Sequence, residues 1–265
     1  MCHNNFGKVQ AMQSSDPPLP WLAAGDDFPP ASQAWGQGTP APGLLAAGGA
    51  LDVATLKRAY SAGIFPWFGR SEPILWWSPD PRMVLQTARF KLHPSLRKTL
   101  RRFQLDGQCE IRFDSAFSQV IQACSTSARN GQSGTWIVPD MVRAYQALHE
   151  AGLAHSVETW VAGELVGGLY AVSIGKAVFG ESMFAQATDA SKIALAALVS
   201  FCRAHDMGMI DCQQNTRHLA SLGAAEMPRA AFLVQVAQSL KQPAPPWKFQ
   251  ALYWNELAAP AALRP

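Results

Sequence analysis

The chain has 265 residues, 48% of them hydrophobic, 10% aromatic and 15% charged, with a formal net charge of +3. That is too apolar and too aromatic for a disordered chain, so most of it has to bury a core of one large or two modest domains. The longest near-apolar run, residues 193–202, falls short of the ~20 residues of a membrane span, and polar, Pro-rich stretches stand where a secretion signal would be apolar. A cytoplasmic protein that does not contact membranes is expected.

Residues 1–43 hold seven of the nineteen prolines and read as a partly irregular leader, because Pro lacks an amide donor and fixes φ. Residues 44–82 read as a small N-terminal domain. In it Asp52 caps a helix bearing Leu56, Ala59 and Tyr60, which Gly63 ends. Two aromatic, Pro-punctuated segments, 63–68 and 75–82, read as ordered loops. From 83 to 265 strands and helices alternate: a strand at 83–85, a basic helix at 93–103 and a strand at 109–113. Asp114 is placed to cap a helix carrying Phe117, Val120, Ile121 and Cys124, and Pro139 opens the next helix. Ala162-Gly163 joins strands 156–161 and 164–174 as a hairpin, and a third strand covers 176–184. A long helix runs from Asp189 or Ser191 to 206, followed by a strand at 209–213 and a helix at 230–240. The sum is an α/β (α+β) fold with an antiparallel meander in its middle, and the pattern alone leaves several α+β alternatives open.

Five scattered cysteines with no C-x-x-C pair, and six dispersed histidines, give neither a disulfide framework nor a metal site. Charge is local instead. Arg89, Lys91, Arg97, Lys98, Arg101 and Arg102 lie in a stretch without a carboxylate, while the rest of the chain has 16 basic and 19 acidic residues. Such a run is either a solvated face or a seat for an anionic partner. Trp67, Trp76, Trp77 and Trp136 in loop-like contexts favour an RNA end, whose bases stack on aromatic rings while Lys and Arg meet the phosphates.

Two segments carry polar groups where a core strand is expected. Along residues 208–213, alternation puts Asp211 and Gln213 on one face and Ile210 and Cys212 on the other. This is either a capped strand end or an acid and amide exposed for orienting an amine. Cys212, on the apolar face, reads as a structural thiol. Along 178–184, Glu181 shares a face with Phe179 and Met183, which breaks the apolar pattern as functional sites do.

Taken in order, Leu44-Leu45-Ala46-Ala47-Gly48-Gly49, residues 63–68, Trp76-Trp77-Ser78-Pro79-Asp80-Pro81-Arg82, Gly134-Thr135-Trp136-Ile137, Gly180-Glu181-Ser182-Met183-Phe184 and Ile210-Asp211-Cys212-Gln213 resemble the leucyl/phenylalanyl-tRNA–protein transferases of bacteria. Ala50 departs from the Asp common there, and Ala171 from the usual Gly. The resemblance implies a small N-terminal domain on an acetyltransferase-like (GNAT-like) domain with a mixed, largely antiparallel sheet. It implies transfer of Leu, Phe or Met from aminoacyl-tRNA to proteins with N-terminal Arg or Lys, feeding N-end rule degradation; the ester is already activated, so no cofactor is expected, and the chain is expected to act as a monomer. By the same resemblance Trp67 and Trp136 sandwich the terminal adenosine, and Tyr145 and Glu181 help hold the tRNA end or the acceptor. Leu169, Met183, Leu195, Leu198 and Ile210 line the aminoacyl pocket, and Asp211, Gln213 and Glu181 are catalytic. Two rivals stay open: a coenzyme A-dependent N-acetyltransferase, and a non-catalytic module for tRNA ends or peptides.

Overall fold

The structure, a computed structural model, describes residues 17–127 and 137–258. In chain order the main elements are β1 (Trp21–Leu22), β2 (Leu44–Gly48), α1 (Val53–Ser61), β3 (Phe65–Pro66), β4 (Leu75–Trp77), β5 (Arg82–Gln86), α2 (Pro94–Leu105), β6 (Cys109–Phe113), α3 (Phe117–Thr126) and α4 (Pro139–Glu150). They continue with β7 (Ala154–Val161), β8 (Glu164–Ile174), β9 (Ala177–Ala185), α5 (Ala190–Ala204), β10 (Met209–Gln213), α6 (Arg217–Ser221), β11 (Ala225–Met227) and α7 (Arg229–Leu240). Among the described residues the strands form two sheets, ordered β1-β2-β4-β3 and β11-β5-β10-β9-β8-β7-β6. The larger sheet is antiparallel except where β10 runs parallel to β9, as the resemblance implied.

Local chemistry explains most boundaries. Asp52 accepts from the Thr55 amide at 2.9 Å and caps α1. Ala162 and Gly163, both at positive φ, make the tight turn between β7 and β8. Asp114 does not cap α3, contrary to expectation. It accepts from the Ser156 amide and pairs with His155, and the buried Glu158 receives the Ala116 amide at the start of that helix. The two aromatic segments are not loops either. They contribute β3 and β4, with Trp76 and Trp77 fully buried and hydrogen-bonded to the Gly48 and Trp67 carbonyls. The leader joins the same sheet, since Trp21 and Leu22 pair with Ala47 and Gly48.

Both faces of the larger sheet are covered. One apolar cluster runs without a break from Leu44, Tyr60 and Trp76 of the N-terminal part to Tyr145, Tyr170 and Phe184. The opposite face packs on α5 and α2 through Leu169, Leu195, Leu198, Ile210 and Leu100. Gly167 lets α5 settle onto β8, because a Cβ there would overlap that of Ala190.

Candidate active site

Alternation along β9 would keep Phe179, Glu181 and Met183 on one face, but the strand slips. Gly180 is in register with Ala171 and Ser182 with Tyr170, so Glu181 is an extra residue in a β-bulge. Phe179 therefore packs in the first cluster and Met183 against the second, which corrects the shared face expected from sequence. Beside this bulge the pairing of β9 with β10 ends. Its register covers Val178–Ile210 and Phe179–Asp211 only.

Glu181 is the centre of a polar cluster at that divergence. Its Oε1 accepts from the Tyr60 hydroxyl at 2.7 Å and the Gln213 side-chain amide at 2.8 Å, and its Oε2 from the Tyr145 hydroxyl at 3.0 Å. Tyr60 and Tyr145 also share a short hydrogen bond with each other. Burial pushes Glu181 up to about 8, against the hydrogen bonds it accepts and with help from the charge of Asp211. The carboxyl is thus mainly neutral at pH 7. Burial likewise holds both phenols well above their ordinary range.

Asp211 is not exposed. It is 1% accessible and bound by Arg82, whose Nε and Nη2 donate to the two carboxylate oxygens at 2.8 and 2.6 Å. Oδ1 also accepts the Gln213 amide N–H at 2.8 Å, leaving no open edge for an acceptor's cation. Gln213 is 9% accessible, and it sits at φ +62° after a second bulge, between Asp211 and Gln213. The bulge breaks the simple alternation expected here, and Gln213 turns toward Glu181 through its left-handed backbone. The burial of both residues is decided by Arg82, which no local pattern of residues pairs with them. Cys212 packs on the opposite face, and burial pushes its thiol up, which suits a structural role.

The five residues expected to hold the aminoacyl group come together. Leu169, Leu195, Leu198 and Ile210 are buried in one cluster, with half-buried Met183 against it. They lie on the face opposite the Glu181 cluster, so the two meet only where β9 and β10 part. Trp67 is half-buried, edge-on to Trp77 at 5.6 Å between ring centroids. Its expected partner Trp136 lies outside the described residues. Tyr145, expected at the tRNA end, is fully buried, with its hydroxyl on Glu181 Oε2. The signal for Tyr60 was its place on the apolar face of α1, where its hydroxyl needed a buried partner.

Arg89, Lys91, Arg97, Lys98, Arg101 and Arg102 are all exposed, and none forms an ion pair among the described residues. Thr99 of the same helix contacts Asp189, just past the end of β9. The basic patch therefore borders the end of β9 that diverges from β10. Asp189 pairs with Lys192 and puts an acid at the start of α5, where a coenzyme A pyrophosphate would need a positive helix end.

Residues 84–237 match the family model described as leucyl/phenylalanyl-tRNA protein transferase, and residues 49–80 match that of its N-terminal domain. Proteins named leucyl/phenylalanyl-tRNA–protein transferase are similar throughout. The one from Polaromonas sp. (strain JS666 / ATCC BAA-500) is 68% identical over 91% of this chain and 94% of its own. That from Albidiferax ferrireducens is 63% identical over 95% and 99%. Among solved structures, L-PGS from Bacillus licheniformis aligns at 10% identity and a TM-score of 0.39 over 71% of this chain and 70% of that one. The chain belongs to the leucyl/phenylalanyl-tRNA–protein transferase family.

Proposed function

We propose that this protein is an aminoacyltransferase that moves Leu, Phe or Met from aminoacyl-tRNA onto the N-terminal Arg or Lys of an acceptor protein. The observation that carries the reading is the Glu181 cluster, a carboxyl held by Tyr60, Tyr145 and Gln213 at the strand divergence, with the apolar cluster of Leu169, Leu195, Leu198 and Ile210 on the other face of the sheet. The aminoacyl ester is already activated, so the protein has to align an amine with it and exclude water. The amine forms the new C–N bond, the ester C–O bond breaks, and the leaving ribose oxygen takes up a proton. An α-amine titrates near ~8, close to Glu181, and this match suits a carboxyl that exchanges a proton with it. With Asp211 closed off by Arg82, Glu181 is the acid of the cluster that stays partly accessible to an incoming amine.

The unbranched thioether of Met183, packed at the edge of the Leu and Ile cluster, suits a site that adapts to Leu, Phe and Met. Trp67 offers a ring to the terminal adenosine, and the exposed basic helix meets the acceptor-stem phosphates. We read residues 44–82 as a unit that delivers Tyr60 and Trp67 to the catalytic part. Charged tRNA places the reaction in the cytoplasm; among the described residues no helix is long and apolar enough to cross a membrane. The test is transfer of labelled Leu from charged tRNA to Arg-starting and Met-starting peptides. Product on the Arg peptide alone is expected. Tight tRNA binding without product, or acetyl transfer from acetyl-coenzyme A, would overturn the reading.

A further inference from the structure

Arg82 is fully buried, and each part of its guanidinium is engaged. Nε and Nη2 form a fork on Asp211, Nη1 donates to the Gly63 carbonyl at 3.2 Å, and the plane lies between the Phe65 and Phe232 rings at 4.8 and 4.6 Å. A cation this deep is costly unless fully paired, and a paired one is no more stabilising than apolar side chains of the same volume. Its contacts lead to the reacting groups by two routes. Asp211 Oδ1 accepts the backbone N–H of Gln213 and so holds that residue at φ +62°, a conformation a side-chain-bearing residue seldom adopts unaided. From there the Gln213 amide reaches Glu181 Oε1. Gly63 closes the end of α1, its N–H bonded to the Tyr60 carbonyl at 3.0 Å, and the Tyr60 hydroxyl reaches the same oxygen of Glu181.

We propose that Arg82 is a positioning residue for the transfer reaction, setting both donors on Glu181 Oε1: the Gln213 amide through Asp211 and the Tyr60 hydroxyl through Gly63. The inference rests on the reading of Glu181 given above. Arg82 touches no substrate. It locks a loop of the N-terminal part and the end of β10 into one frame, so that the carboxyl is aimed where the aminoacyl ester and the amine meet. Lys cannot replace it, because an ammonium is a single point charge and cannot bridge two oxygens and a carbonyl in fixed directions.

The experiment is a kinetic cycle with the full chain, charged tRNA and an Arg-starting peptide. R82K is expected to lower kcat about 10²-fold, with KM for aminoacyl-tRNA changed less than about threefold. In a Y60F/Q213A background, where both donors are already gone, R82K is expected to cost less than about threefold more. A full, additive loss in that background overturns the proposal, as does wild-type kcat in R82K. Should R82K not melt cooperatively, R82M/D211L removes both buried charges together and keeps the core filled. That pair is expected to fold and to lose transfer to the same degree, and wild-type turnover by it overturns the proposal. Absence of transfer by the unmodified chain would instead refute the proposed function.

Discussion

The side-chain amide of Gln213 donates to Glu181 Oε1 at 2.8 Å across the point where β9 and β10 cease to pair. The contact replaces the backbone hydrogen bonds that the diverging strands give up. It also places a neutral donor beside a carboxyl that two phenols already hold. The site is therefore a strand junction finished by side chains, and the two bulges that create it bring polar groups in on one face while the apolar cluster packs on the other.

Glu181 makes stability depend on pH. Its carboxyl is raised from 4.5 to about 8 in the native protein. Between those values the native state keeps a proton that the unfolded chain has lost, so stability declines as pH rises through this window and levels off above it. Glu181→Gln, neutral throughout, removes the decline. The variant is expected to melt above wild type at pH 8, with the difference closing toward pH 5, while transfer falls about 10²-fold. Thermal melts across pH read the first effect, and a difference that does not change with pH contradicts it.

Met183 is the half-buried member of the aminoacyl cluster, so shortening it opens the pocket at its edge. Met183→Ala is expected to depress Leu transfer more than Phe transfer, shifting their kcat/KM ratio by about tenfold, the value of a few methylenes in a pocket. Leu198→Ala, at 1% exposure, costs ~2–5 kcal/mol of stability instead. Competition between the two charged tRNAs measures the ratio. An unchanged ratio removes Met183 from the pocket.

The fold was readable where one signal dominated. Asp52 before α1, Pro139 opening α4 and the Ala162-Gly163 turn each act locally, and each element appears within a residue or two of its expected place. Short strands β3 and β4 were not readable, because two or three residues of sheet have no periodicity and Pro and Trp mask the rest. At the site, alternation along β10 stops at the bulge between Asp211 and Gln213, so it does not by itself set the Gln213 side chain. The burial of Asp211 was not readable either, since Arg82 stands 129 residues away in the chain. The bulge at Glu181 was equally hidden: it depends on register with β8, which no single segment encodes.

Gly167 lies against the first turn of α5, the helix that carries Leu195 and Leu198. Gly167→Ala would set a methyl inside van der Waals contact with the Ala190 Cβ and 3.0 Å from its carbonyl carbon. The helix has to shift, at a cost of ~1–3 kcal/mol. A lowered melting temperature together with reduced Leu transfer is expected. Unchanged melting would mean that α5 tolerates displacement.

The tryptophans separate into two kinds. Trp67 is half-buried, whereas Trp76 is fully enclosed with its indole N–H on the Gly48 carbonyl. Trp67→Ala is expected to weaken binding of a CCA-ended tRNA by ~1–3 kcal/mol, the worth of one stacked base. Trp76→Ala instead costs ~3–5 kcal/mol of stability. Filter binding and thermal melts distinguish the two, and equal tRNA affinity for Trp67→Ala and wild type would remove the stacking role.

The basic face of α2 gives the last prediction. Leu96, Leu100 and Phe103 anchor the helix, and Arg97, Lys98, Arg101 and Arg102 project from its exposed side. Because those four make no ion pairs among the described residues, reversing them to Glu breaks no internal ion pair, and the melting temperature is expected to hold. Affinity for tRNA should fall, and fall most at low salt. Each phosphate that the helix no longer neutralises reduces the slope of log K against log salt by about 0.7–0.9. Four such phosphates together flatten the slope by about three units, with kcat at saturating tRNA nearly unchanged. Titrations of tRNA at several salt concentrations measure this. An unaltered slope would show that α2 is only a solvated face and that the acceptor stem is held elsewhere.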